Sequence, residues 1–78
     1  MAAEWTVSGP DALFDLGLQY STGRSVPVDL IAAHKWFNLA AAKGHSDARA
    51  MRQEVAQMMP DAEIATAQRD ARAWIATH

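Results

Sequence analysis

Apolar residues return at helical spacing along almost the whole chain, and the clearest run is Asp29 to Gly44, DLIAAHKWFNLAAAKG. Ala33, Trp36, Phe37, Ala40 and Ala41 follow the i, i+3, i+4, i+7, i+8 template of a helix with one buried face. Three of these five are alanine, so a neighbouring backbone can approach closely, while Trp36 and Phe37 supply most of the apolar area. Asp29 fits the N-cap, and Gly44 fits the C′ position where a left-handed backbone ends a helix. The stretch reads as a central helix built to be sandwiched between others.

The same spacing places three more helices. From Pro10 to about Thr22, with Ser8 or Gly9 as N-cap and Pro10 at N1, the inward face is Leu13, Leu16, Gly17 and Tyr20. Gly17 costs about 1 kcal/mol against alanine in a helix interior, which points to close contact with the central helix. Gly23 and Pro27 bracket a short ordered turn, and Val26 is placed as a plug at the open end of the helix pair. Ser46 or Asp47 caps a third helix running to about Met58, with Ala48, Met51, Val55 and Met58 or Met59 inward. Pro60 stops it and opens a fourth at N1, with Asp61 and Glu63 in the first turn and Ile64, Ala67, Ala71, Trp74 and Ile75 inward. Four helices joined by short turns are expected to pack as antiparallel neighbours.

Composition sharpens this. Seventeen alanines and the lack of any period-two segment favour an all-α fold. With 78 residues there is room for one domain of modest stability. No cysteine is present, so neither a disulfide framework nor a thiolate metal site is available. The start of the chain lacks a basic n-region, and no run of apolar residues is long enough to span a bilayer. A cytoplasmic protein is expected. Net charge is −2 and the seven Lys and Arg are scattered, which argues against nucleic acid and anionic membrane as partners. Residues 1–9 read as a flexible leader with Trp5 as its anchor, either folded back, exposed or in contact with a partner. Residues 10–78 read as the single domain.

A search for an internal period pairs Ala12 with Ala48, but Leu16, Gly17 and Tyr20 are answered by Arg52, Gln53 and Ala56, so one unit is present, followed by an end. The run Ala12, Leu16, Gly17, Tyr20, Gly23, Val26, Asp29, Ala33, Trp36, Phe37, Ala40, Ala41, Gly44, Ala48 resembles the Sel-one-like repeat, a relative of the tetratricopeptide repeat. MMPDAEIATAQRDARAW resembles the helix that often closes bacterial arrays of that family. The resemblance implies a short α-solenoid, with a repeat over 12–47 and a cap over 48–78, that presents a helical surface to other proteins and has no chemistry of its own. The family's turn usually carries a second glycine where this chain has Ser25, and family members normally stack several units.

His34, His45 and His78 have no i, i+4 partner, so no metal site is expected. His34 is read as a solvated or rim residue, and His45 as a helix-end residue with its side chain near the C-terminal carbonyls of the central helix. No nucleophile motif or phosphate-cradling loop occurs, so neither catalytic residues nor a cofactor is assigned and an enzyme is not expected. Trp36 and Trp74 read as core. Met58 and Met59 read as one inward and one partly exposed methionine, with an adaptable binding surface as the alternative. The exposed face of the first helix, Asp11, Asp15, Leu18, Gln19 and Ser21, is the leading candidate for partner contact, with Leu18 off the buried stripe. Trp5, Met58 and Met59 complete the candidate contacts. A non-enzymatic adaptor or accessory subunit, binding a protein partner or its own copies, is the first functional expectation. A small-ligand or effector-binding regulatory domain, using a groove between the second and fourth helices, is the alternative.

Overall fold

The computed structural model describes residues 9–77, so Trp5 and His78 lie outside the described residues. Four helices follow one another: α1 (Pro10–Thr22), α2 (Leu30–Ala42), α3 (Ala48–Ala56) and α4 (Asp61–Thr77). No strand occurs among the described residues, and the fold is all-α. Each boundary has a local cause. Pro10 opens α1 after an extended Gly9. Asp29 caps α2 by accepting the Ala32 N–H at 3.1 Å. Gly44, at φ 97°, ends it: the His45 N–H reaches the Ala40 carbonyl and the Gly44 N–H that of Ala41, both at 3.0 Å, which is the Schellman closure. Pro60 sits one position earlier than expected. Its carbonyl accepts from the Glu63 and Ile64 N–H groups, so it caps α4 rather than occupying its first turn.

The α1–α2 turn holds a strained residue. Ser25 has φ 69°, a left-handed backbone that a side chain disfavours. The position where the repeat family usually has glycine therefore keeps the glycine-like conformation without the glycine. The Asp29 N–H bonds the Tyr20 carbonyl at 3.0 Å and ties the end of this turn back to α1.

α2 is the hub. α1, α3 and α4 all pack on it, whereas the other helices approach one another at few points. Leu39 and Ala40, late in α2, share a buried cluster with Leu13, Ala48 and Ala71; Ala33 and Phe37, earlier in α2, share another with Val55, Met59 and Ala67. These groupings make α1 and α3 antiparallel to α2 and α4 parallel to it. Successive helices do alternate in direction, but α3 and α4 are not close neighbours, because both use their apolar faces on α2.

Close packing depends on Gly17. A Cβ at this position would lie 2.5 Å from Cδ1 and Cε1 of the fully buried Phe37, far inside carbon–carbon contact distance. Phe14, which helical spacing did not place inward, packs against both clusters with its ring 5.5 Å from that of Phe37.

Being covered on several sides, α2 also buries residues off its stripe. Leu39 is one, and His34 is another: only 3% exposed, it is not the rim residue expected. Its Nδ1 has no hydrogen-bond partner. Burial, with a smaller contribution from the Arg52 cation, holds its pKa below the usual 6.5, so the imidazole stays neutral. Beside it, Arg52 Nη1 donates to Asn38 Oδ1 at 2.6 Å and fastens α3 to α2. At the end of α4, Ile75 is 55% exposed rather than inward, leaving Trp74 to cover α2 there.

Candidate functional site

The residues expected to meet a partner differ in burial and in the contacts they already make. Asp15 is already engaged: Arg24 Nη2 donates to its Oδ1 and Gln19 Nε2 to its Oδ2, each at 2.8 Å, a surface network that braces the α1–α2 turn. Leu18 is half-buried and packs against the cluster of Ala33, Phe37, Val55, Met59 and Ala67, so it belongs to this domain's own core margin. The spacing that set it off the stripe of α1 ignored the breadth of α2 beneath it. Met59 is buried and Met58 is 64% exposed, the one-in, one-out arrangement expected of the pair. Trp5 falls outside the described residues.

A different cluster has the composition of a contact site. Trp36 on α2 and Trp74 on α4 are both half-buried, their rings edge-to-face at 5.9 Å and 80°. Their inner edges pack on the buried cluster of Leu39, Ala40 and Ala71. Both lysines of the sequence stand over these rings: Lys35 Nζ is 4.1 Å from the Trp36 ring centre and Lys43 Nζ 5.7 Å from that of Trp74. Two tryptophans side by side, neither fully withdrawn and each faced by an ammonium group, form a strip of cation, aromatic, aromatic, cation across the α2–α4 junction. Sequence spacing assigns both tryptophans to the core, and each packs against it while staying partly exposed. The signal for the other half was available in the Lys35–Trp36 dipeptide, but the Lys43–Trp74 contact spans two helices and needs the fold.

Trp36, Trp74 and Ala71 meet at the α2–α4 junction, where the small-ligand alternative expects a groove. A cleft of about 290 Å³ lies at the α2–α3 turn, lined by Ala41, Gly44, His45, Ser46 and Arg49. His45 is not at the α2 carbonyls, as expected, but stacks flat on Phe14 with ring centres 4.0 Å apart. Its Nδ1 accepts the Asp47 N–H at 3.2 Å, and its Nε2 lies 3.5 Å from Asp11 Oδ1. Among the described residues no three His, Asp or Glu gather as a metal site, and no helix is long and apolar enough to cross a membrane.

No family model matches the chain, and neither a curated protein nor a solved structure is significantly similar to it.

Proposed function

We propose that the chain is a non-enzymatic protein–protein interaction module, a single Sel-one-like helical-repeat unit with a capping helical hairpin, acting as a small cytoplasmic adaptor or accessory subunit. The observation that carries this reading is the partly buried Trp36–Trp74 pair flanked by lysines. Aromatic side chains with a charged rim are the residues that supply most binding energy at protein interfaces. The α1–α2 hairpin adds support. Its glycine-mediated contact and capped central helix follow the residue pattern of the repeat the sequence resembles, and Ser25, which departs from that pattern, keeps the left-handed backbone a glycine would take.

The test is to present the full chain as bait in an extract of its own cells and to read the complexes by native mass spectrometry. The module reading expects a protein partner at fixed stoichiometry. A clean monomer that retains no protein would contradict it and favour a small-ligand regulatory domain, for which the cleft beside His45 and Arg49 offers space.

A further inference from the structure

We propose that α3 is an acid-released element of the fold: protonation of His34, buried where α3 meets α2, detaches α3 and uncovers the flank of α2 beneath it, while the α1–α2 hairpin stays folded. This device goes beyond the interaction-module reading and does not depend on it.

α3 is held by its neighbour rather than by its own residues. Its nine residues fall short of the roughly 12–15 that an isolated helix needs. Asp47 gives it no side-chain cap, and Arg49 in the first turn and Glu54 in the last both carry the wrong sign for the helix dipole. It packs on α2 and meets the other helices at few points, and its buried residues are Ala48 and Val55. The polar tie across this contact is the bond from Arg52 to Asn38, one turn along α2 from His34. His34 is 3% exposed, its Nδ1 has no hydrogen-bond partner, and it is in no ion pair among the described residues. Arg52 is the charge on α3 that acts on it, and α1 and α4 bring none that does; on α2 itself, Lys35 holds its ammonium over the Trp36 ring. A protonated imidazole carries a hydrogen on both nitrogens, so Nδ1–H would be buried without an acceptor in a cation facing the Arg52 cation. Once α3 has moved off, water supplies the acceptor and screens the two charges. The open form therefore binds the proton better than the closed one, in line with the pKa held below 6.5 by burial and by Arg52.

The experiment is amide hydrogen exchange of the full chain, resolved by NMR and corrected for the pH dependence of intrinsic exchange, from about pH 7.5 to about pH 5. The α3 amides should be less protected than those of α1 and α2 at every pH, and their protection should fall about tenfold per pH unit below 6.5. In His34→Gln that fall should disappear. Followed over the same range in the parent chain, the His34 ring signals should titrate below 6.5; this reading needs no substitution and, with the parent's exchange pattern, decides the matter if His34→Gln does not fold. One level of protection shared by α1, α2 and α3 and falling together would mean unfolding of the whole domain and overturn the proposal. An α3 fall that persists in His34→Gln, a protection that does not change with pH, or a His34 ring that titrates at or above 6.5 would overturn it equally.

Discussion

The contact between α1 and α2 is open to a sharp test, because at Gly17 local propensity and packing predict opposite signs. Gly17→Ala gains about 1 kcal/mol of helix propensity. Against that, the new Cβ would sit 2.5 Å from two carbons of the Phe37 ring, where contact requires roughly 3.5–4.0 Å, so ring or helix must give by more than 1 Å. Phe37 has little room to retreat. It is fully buried among Ala33, Val55, Met59 and Ala67, with Phe14 leaning on it from α1. Overpacking of this kind costs about 1–3 kcal/mol, and the tight surroundings place it at the upper end. The net expectation is a loss of about 1–2 kcal/mol, a large share of the stability of a small domain. Thermal melts followed by circular dichroism should show Tm falling by roughly 5–15 °C. A second arm assigns the loss to its cause: in a Phe37→Leu background the same substitution should cost less, with a coupling of about 0.5–3 kcal/mol. A Gly17→Ala protein that melts higher than the parent would refute the close-contact role.

Three further substitutions probe separate features. Ser25→Gly should stabilise by up to about 1 kcal/mol, since relief of a left-handed backbone worth roughly 1–2 kcal/mol exceeds the added entropy of glycine in the unfolded chain; an unchanged or lowered Tm would count against strain at φ 69°. Because the pKa of His34 is lowered in the fold, its contribution is full above the unfolded value near 6.5 and is lost as pH falls from there towards the folded value, by up to about 1.4 kcal/mol per pH unit. Urea titrations at several pH values should show a shallower acid slope for His34→Leu than for the parent, and identical slopes would remove His34 as the source. Leu18→Glu should lower stability by about 1–2 kcal/mol, because the side chain packs on the second core cluster; unchanged melting would restore Leu18 as an exposed contact residue.

The helices were legible because their signals are local. Proline, aspartate and glycine at 10, 29 and 44 mark ends by backbone chemistry that needs no tertiary context, and α1 runs over the residues its pattern predicts. Gly17 was legible for the same reason: a glycine inside a strong helix pattern implies a close neighbour. What the pattern missed lies where α2 touches several helices. A single stripe of 3.6-residue period describes a helix with one buried face, so it leaves His34 and Leu39 outside, and it exposes Leu18 because it takes no account of the width of the facing helix. Phe14 packs inward although the stripe of α1 omits it, and Ile75 is exposed although the stripe of α4 includes it. The tryptophan pair was half legible. Trp36 and Trp74 were rightly drawn to the core, but the lysine over each ring and the meeting of α2 with α4 are products of topology.

The most direct measurement is a nitrogen–proton NMR titration of the full chain with the partner protein it retains from extract, using the indole N–H signals of Trp36 and Trp74 as reporters of the binding face. Both indole signals and the Lys35 and Lys43 amides are expected to shift saturably at one common affinity, with the methyl signals of Leu18 and Met58 unmoved. Shifts confined to Leu18, Met58 or the cleft around His45 and Arg49, with both indoles unchanged, would place binding elsewhere and contradict the assignment of the α2–α4 junction as the interaction surface.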